Sequence, residues 1–134
     1  MNEEQIIKIF RDKNYRATPQ RVAIFNYLYE HPTHPDVQNL YENISKLYPT
    51  FSKTTVYNAL ESLEANGFIK AVTIDNKMIH YDANTSFHGH FKCKKCNKIF
   101  DFKIDSLKSS LGEGFEILNK DVYYTGLCPE CNKV

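Results

Sequence analysis

Two Cys-x-x-Cys pairs constrain the fold of this chain more than any other feature of its sequence. Cys93 and Cys96 form the first pair, Cys128 and Cys131 form the second, and 31 residues separate them. Each such turn directs two thiolates toward one point, and two turns complete a tetrahedral zinc site. Because the gap is longer than in a simple zinc ribbon, we expect a strand, a helix and a strand to fold between the pairs. Zinc would then stabilise a small C-terminal domain.

Other uses of the four cysteines agree less well with the sequence. The chain starts MNEEQIIKIF, with acidic residues and no apolar run, and no stretch is apolar enough for a membrane span. We therefore expect a cytoplasmic protein with reduced thiols and no membrane partner. A thioredoxin-like redox site does not fit, because neither pair follows a strand and opens a helix. A zinc deaminase does not fit either, because His-x-Glu is absent and four cysteines leave no open position. Two incidental thiol pairs remain as the alternative.

Helical periodicity dominates the N-terminal half of the sequence. It predicts a helix over 3–13, a second capped by Thr18 with Pro19 first, a third starting at His34-Pro35-Asp36, and a fourth from Ser52 to Asn66-Gly67. The residues expected to face the core are Ile6, Ile7, Phe10, Val22, Phe25, Leu28, Tyr29, Val37, Leu40, Tyr41, Ile44, Leu47, Val56, Ala59, Leu60 and Leu63.

After these helices the apolar pattern changes to a period of two. Residues 68–72 and 78–81 flank Asp75-Asn76, which predicts a β-hairpin. Helices followed by such a hairpin are typical of a winged helix-turn-helix. The rest is predicted as strand 87–92, strand 98–102, helix 105–111 and strand 115–124. The predicted fold class is thus α+β, with a winged helix-turn-helix over 1–81, a polar hinge over 82–87 and a small zinc-stapled α/β domain over 88–134.

A second group of potential metal ligands lies just before the first cysteine pair. His88 and His90 share one face of a predicted strand, whereas Cys93 belongs by parity to the opposite face. Asp82 precedes these histidines, and a hairpin across the cysteine turn would bring Asp101 back toward them. Imidazole and carboxylate donors suit Fe(II) or Mn(II). The sequence therefore favours a second metal site, with surface histidines on a strand as the alternative.

The remaining sequence gives little direct support for other functions. His34 taken alone is a solvated residue at a helix start, and His31 and His80 are interpreted as structural or exposed. The net charge is only +1, so bulk electrostatics gives no support for nucleic-acid binding. No nucleophile–base pair or phosphate loop is evident, so we do not expect an enzyme.

Six motifs in a fixed order carry a resemblance to a known family. They are RATPQR (16–21), HPDVQNLY (34–41), SKTTVYNALESLEANG (52–67), HGHFKCKKC (88–96), the aspartate after KIF, and CPEC (128–131). In these motifs and their spacing the chain resembles the ferric uptake regulator (Fur) family of bacterial repressors over nearly its whole length. The resemblance implies a homodimer in which each winged helix is joined to an α/β dimerisation domain.

The resemblance also implies contacts with an operator in double-stranded DNA that is palindromic and rich in A/T. The fourth helix would enter the major groove, with Lys53, Thr54, Tyr57 and Asn58 facing outward beside Glu61. Tyr57 could pack on a thymine methyl group and Asn58 could bond adenine. Arg16 matches the position that reaches into an A/T-rich minor groove in the family. The alternative for these residues is a solvated helix face.

Only the resemblance brings His34 into the regulatory metal site, which would then consist of His34, Asp82, His88, His90 and Asp101. Binding of Fe(II) or Mn(II) by ligands from both domains and the hinge would fix the angle between the domains. That angle sets the spacing of the two recognition helices on a palindrome, so the metal would act by population shift.

Within the family, the acidic ligands favour the peroxide-sensing branch. Asp82 and Asp101 are aspartates as in that branch, whereas iron sensors typically have glutamates there, and Asn58 also fits it. The resemblance then implies that Fe(II) reduces hydrogen peroxide, that His34 or His88 is oxidised, and that DNA is released. Mn(II) would support repression without this reactivity.

Three alternatives stay open at this point. The first is an iron-sensing repressor, although the His-His-Asp-His run common in iron sensors is absent. The second is another metal sensor of the family, although zinc sensors need a sulfur ligand and no spare cysteine exists. The third, of a different class, is a zinc-stabilised interaction or RNA-binding module without a regulatory metal.

Overall fold

The computed structural model describes residues 1–75, 78–118 and 120–133, which form two compact units, Met1–Thr85 and Ser86–Val134. Its elements in chain order are α1 (Glu3–Asp12), α2 (Pro19–Glu30), α3 (Val37–Leu47), α4 (Lys53–Ala65), β1 (Lys70–Asp75), β2 (Met78–Asp82), β3 (Gly89–Cys93), β4 (Ile99–Phe102) and β5 (Tyr123–Gly126). The chain is α+β, as the sequence predicted. None of the helices in the described part is long and apolar enough to cross a membrane.

Side-chain caps fix where the helices of the first unit begin. The side chains of Thr18, Asp36 and Ser52 each accept a hydrogen bond from the main-chain N–H three residues later. Such caps satisfy N–H groups that lack partners inside the helix. Helix α4 is followed by Gly67 at φ +78°, a left-handed conformation that glycine adopts without strain. These ends confirm the boundaries predicted from the sequence.

The apolar core of the first unit includes most of the predicted inward residues, with two exceptions. Tyr29 and Leu47 are 49% and 68% exposed, so their prediction as core residues was wrong. Leu47 is the last residue of α3, where the helix leaves the core, and Tyr29 lies at the edge of the buried stripe of α2. Ile24 was not predicted, yet it is fully buried beside Leu28 on α2.

Strands β1 and β2 form the predicted hairpin, in antiparallel register with Val72 opposite His80. The strand starts later than predicted, because Phe68 and Ile69 are buried in the core before β1 begins. Asn76, predicted for the turn, lies outside the described residues. Asp82, predicted as the first hinge residue, instead ends β2. Four helices followed by this hairpin are the order of a winged helix.

In the second unit, a three-stranded sheet has the order β4-β3-β5. Strand β3 is central, antiparallel to β4 and parallel to β5. The predicted strand over 115–124 was wrong in position: 115–118 are not a strand, and β5 begins only at Tyr123. Pairing with β3 is confined to the four residues Tyr123–Gly126, opposite His90–Cys93.

The predicted helix over 105–111 was also wrong, because the backbone there is not helical. A helix of seven residues is marginal unless an apolar face packs against something. Leu107 and Leu111, which would form that face, are both more than half exposed. The described residues of the second unit, 86–118 and 120–133, form strands and turns.

Candidate metal centres

Strands β3 and β5 bring the two cysteine pairs together. Cys93 ends β3, and the turn that follows closes with Asn97 at φ +64°. The parallel register of β3 and β5 aligns Cys93 with Gly126, which places Cys128 just beyond the end of β5. One sulfur from each of the four cysteines lies within 4.8 Å of all the others. This cluster has the ligand number and the type of donor that a structural zinc site requires.

The main chain around the sulfur cluster favours thiolate over thiol at one position. The N–H groups of Cys96 and Cys128 each donate to Cys93 Sγ at 3.5 Å. These hydrogen bonds lower the pKa of Cys93 to about 5. Hydrogen bonds with the side chains of Cys128 and Cys93 raise the pKa of Cys131 to about 12. A divalent cation offsets this crowding of sulfur charges, so the four residues fit zinc.

Strands β3 and β4 of the second unit form one imidazole–carboxylate group. His90 lies directly opposite Asp101 in the strand register, and His90 Nε2 is 3.5 Å from Asp101 Oδ1. His88 precedes β3, and its Nε2 is 3.5 Å from Asp101 Oδ2. The Nδ1–H of His88 donates to the carbonyl of Ser86 at 2.7 Å, which leaves Nε2 as the nitrogen available to a metal.

Gly89 lies between these two histidines because the sheet has no room for a side chain there. It is opposite Phe102 in the register, and a Cβ at this position would collide with the Phe102 ring. That ring is itself stacked on Tyr124, with centroids 4.9 Å apart. The glycine thus lets His88 and His90 approach Asp101 together.

In the first unit, His34 and Asp82 form a second imidazole–carboxylate group. His34 Nε2 is 3.4 Å from Asp82 Oδ2, and both side chains are buried. The other oxygen, Asp82 Oδ1, accepts the N–H of Asn84 at 2.9 Å. His34 has φ +57°, in the left-handed region. The two groups together contain the five predicted regulatory residues, whose role as ligands remains a prediction.

The donors in both groups are the kind that Fe(II) and Mn(II) accept. Two imidazoles and one carboxylate, as in His88, His90 and Asp101, match the donor set of many non-haem Fe(II) sites. The second unit therefore contains two chemically distinct centres, one of thiolates and one of nitrogen and oxygen donors. His80, interpreted from the sequence as structural or exposed, donates through Nδ1 to the carbonyl of His34 at 2.7 Å. It lies two residues before Asp82 on one strand, which puts both on one face.

The residues predicted to contact DNA are all on the surface of the first unit. Lys53, Thr54, Tyr57 and Asn58 are exposed on α4, opposite its buried face, and Glu61 is exposed as well. Arg16 is exposed too, and its carbonyl accepts a hydrogen bond from Arg21 Nη1 at 2.9 Å. Their accessibility permits DNA contacts, and the contacts themselves remain predictions.

Comparison with known proteins identifies the family. The model of the ferric uptake regulator family matches residues 12–125. The peroxide-responsive repressor PerR of Staphylococcus epidermidis is 32% identical over 136 residues, covering 97% of this chain and 90% of that protein. The structure of the Campylobacter jejuni peroxide stress regulator has a TM-score of 0.66 and 26% identity, covering 98% of this chain and 100% of that one.

The structure of the Helicobacter pylori ferric uptake regulator Fur has a TM-score of 0.77, covering 100% of this chain and 96% of that one, at 20% identity. This last similarity concerns the fold alone. The family model and the PerR relative confirm that the chain is a regulator and not an enzyme. Because the family model spans most of the chain and a curated relative aligns with nearly all of it, the chain belongs to the ferric uptake regulator family of metal-responsive regulators.

Proposed function

We propose that this protein is a repressor that senses hydrogen peroxide through a regulatory metal and binds operator DNA as a homodimer. The observation that carries the proposal is the pair of imidazole–carboxylate groups, in which both acidic residues are aspartates. The chain is also 32% identical to a peroxide-responsive repressor along almost its whole length. A cytoplasmic location is part of the same proposal.

His34 and Asp82 of the first unit would join His88, His90 and Asp101 of the second unit as ligands of one Fe(II) or Mn(II) ion. Neither group alone provides the five or six donors that these cations commonly take. Because each unit would contribute ligands, binding would restrict the orientation of one unit relative to the other. A ligand that needs both units at once favours the conformations in which both groups converge. The segment 83–87, which follows β2, is proposed as the hinge that permits this change.

DNA binding would use the exposed face of α4 in the major groove, with Lys53, Thr54, Tyr57 and Asn58 as the contacting residues. Arg16 would enter an adjacent A/T-rich minor groove. A homodimer presents two such helices, which suits a palindromic operator. Dimerisation is supported by the apolar side chains that the second unit exposes. They are Leu107, Leu111, Phe115, Ile117 and Leu118.

Fe(II), when bound, supplies the electrons that reduce hydrogen peroxide. The imidazoles of His34 and His88 are the oxidisable side chains proposed to lie beside the reaction. An imidazole that has gained oxygen is a poorer ligand, so the two units would lose their shared ion and the operator would be released. Mn(II) would support DNA binding without this loss. The zinc-bound cysteines would take no part in the oxidation.

The proposal is tested by loading the zinc-containing protein with Fe(II), adding dilute peroxide and mapping its peptides by mass spectrometry. We expect one added oxygen on His34 or His88, together with loss of operator binding in a gel-shift assay. The matched control is the Mn(II)-loaded protein. After peroxide treatment its histidines should carry no added oxygen, and it should still bind operator DNA in the gel-shift assay. An unmodified Fe(II) protein that still binds DNA would refute peroxide sensing and leave an iron-sensing repressor.

The alternative of a zinc-stabilised module without a regulatory metal is tested by His88→Ala. A metal-dependent repressor should lose Mn(II)-dependent operator binding in this variant, while its zinc content stays unchanged. Retention of full Mn(II)-dependent binding by His88→Ala would contradict the proposed ligand set.

A further inference from the structure

The backbone of His34 adopts a conformation that it would not adopt by itself. Its φ of +57° is in the left-handed region, which costs a residue with a Cβ on the order of 1–2 kcal/mol. Such a conformation persists only where neighbouring contacts impose it. The main-chain contacts of His34 and its neighbours therefore determine the direction in which the His34 imidazole points.

Strand β2 provides those contacts. The carbonyl of His34 can only accept a hydrogen bond, so His80 Nδ1 carries the proton and donates to it at 2.7 Å. The next residue of β2, Tyr81, donates its N–H to the carbonyl of Pro35 at 2.9 Å. Asp36 and His80 also form a β-bridge. Residues 34 and 35 are thus held to β2 by two hydrogen bonds, the second of which belongs to the β-bridge between Asp36 and His80.

The same strand also provides the carboxylate of the His34 group. His80 and Asp82 are two residues apart on β2, so they share a face of the strand. Asp82 meets the His34 side chain, while His80 bonds the His34 main chain. A short stretch of β2 therefore sets both the position of the imidazole and that of the carboxylate it faces.

The imidazole of His80 uses one of its two ring nitrogens for hydrogen bonding within the described residues. Its Nε2 is buried and makes no hydrogen bond with the residues that the structure describes. A buried polar atom in this state costs about 1–3 kcal/mol. The Nδ1–H bond to the His34 carbonyl is therefore the contact that favours a histidine over an apolar side chain at this position.

We propose that His80 is a positioning residue of the regulatory metal site: its Nδ1–H holds the His34 carbonyl and thereby keeps His34 in the conformation that presents Nε2 to the metal. This inference rests on the proposed function of His34 as a ligand. His80 itself does not bind the metal. Residues that orient a ligand in this way typically change metal affinity by about 10–100-fold when they are replaced.

The test measures Mn(II) affinity of the zinc-loaded full chain by calorimetry and the visible spectrum of Co(II) bound at the same site. His80→Leu removes the donor, and His80→Asn keeps an N–H close to the place of Nδ1. We expect His80→Leu to lower Mn(II) affinity by about tenfold or more and to shift the Co(II) bands, and His80→Asn to restore both. His31→Leu is the matched control, because His31 Nδ1 also bonds a main-chain carbonyl, that of Tyr27 at 2.9 Å, on the exposed end of α2. It should leave both readouts unchanged.

Equal affinities in the wild type and His80→Leu, or equal losses in His80→Leu and His80→Asn, would overturn the inference. If His80→Leu fails to fold, His80→Asn is compared with His80→Gln, whose amide reaches toward the place of Nε2; equal affinities of these two would also overturn it. His34→Ala separates the two proposals. Wild-type affinity in His34→Ala refutes His34 as a ligand, whereas loss in His34→Ala without loss in His80→Leu refutes only the positioning role.

Discussion

At the scale of single residues, the buried polar side chains mark the candidate regulatory residues. Four polar or charged residues are buried in the described part of the chain, namely His34, Asp82, His88 and His90. Burying such groups costs free energy unless they are hydrogen-bonded, paired or bound to a metal. All four belong to the proposed regulatory ligands. They are paired with one another or with Asp101, and a bound metal would use the same donor atoms.

Gly89→Ala should disturb the histidine pair and destabilise the second unit. The added Cβ would meet the Phe102 ring, and the stacking of that ring on Tyr124 limits its movement. Overpacking of this kind costs about 1–3 kcal/mol. We expect faster proteolysis of the second unit and weaker Mn(II) binding. Gly112→Ala is the control, because a Cβ there meets nothing within 4 Å. Equal behaviour of the two variants would contradict the steric role of Gly89.

The sequence predicted the sites that depend on local spacing and missed those that depend on long-range contacts. A hairpin across the Cys-x-x-Cys turn is a local feature, and it sufficed to predict that Asp101 returns to His90. The contact of His80 with His34 joins residues 46 positions apart in the chain. It forms because the segment 34–36, just before α3, lies against β2, and no periodicity in the sequence encodes that contact. His34 was accordingly reached through family resemblance alone.

At the scale of elements, one face of α4 packs in the apolar core and the opposite face is exposed to solvent. Leu60 and its buried neighbours face the core, whereas Tyr57 is half exposed on the opposite side. The helical spacing of its four buried residues, Val56, Ala59, Leu60 and Leu63, made both the helix and its buried face predictable from the sequence. The segment 105–111 has a similar pattern but no partner in the described chain, which shows that amphipathic spacing predicts a helix only where its apolar face can be buried.

Leu60→Ala and Tyr57→Ala should separate the two faces of α4. Truncation of the fully buried Leu60 should lower the free energy of unfolding by about 2–5 kcal/mol, measured by urea denaturation. Tyr57→Ala should change it by no more than about 0.5 kcal/mol, because the side chain is half exposed. In a gel-shift assay, however, Tyr57→Ala should weaken operator binding. Undiminished binding would remove Tyr57 from the proposed DNA contacts.

At the scale of the whole molecule, apolar packing and metal binding stabilise different units. Every residue of the main apolar cluster lies within the first unit. In the described part of the second unit the buried residues are instead Gly89 and four potential metal ligands, His88, His90, Cys93 and Cys128. A small domain without a sizeable apolar core commonly needs a metal or disulfides to fold. Zinc is therefore expected to be the main source of stability for the second unit.

Cys128→Ser should release zinc and unfold the second unit alone. All described helices lie in the first unit, so the helical circular dichroism signal should persist while proteolysis becomes rapid within residues 86–134. Ser110→Ala is the matched control, because Ser110 is an exposed residue of the same unit. Loss of the helical signal in Cys128→Ser would show that the first unit depends on zinc as well.

The central strand β3 is only five residues long, and it contains His90 of one candidate centre and Cys93 of the other. Deleting or inserting one residue between them would reverse the direction of the imidazole relative to the sulfur. The connection between β4 and β5 has no such restriction. As related sequences diverge, changes of length should therefore accumulate in residues 103–122, while the two residues between His90 and Cys93 are inherited without gaps.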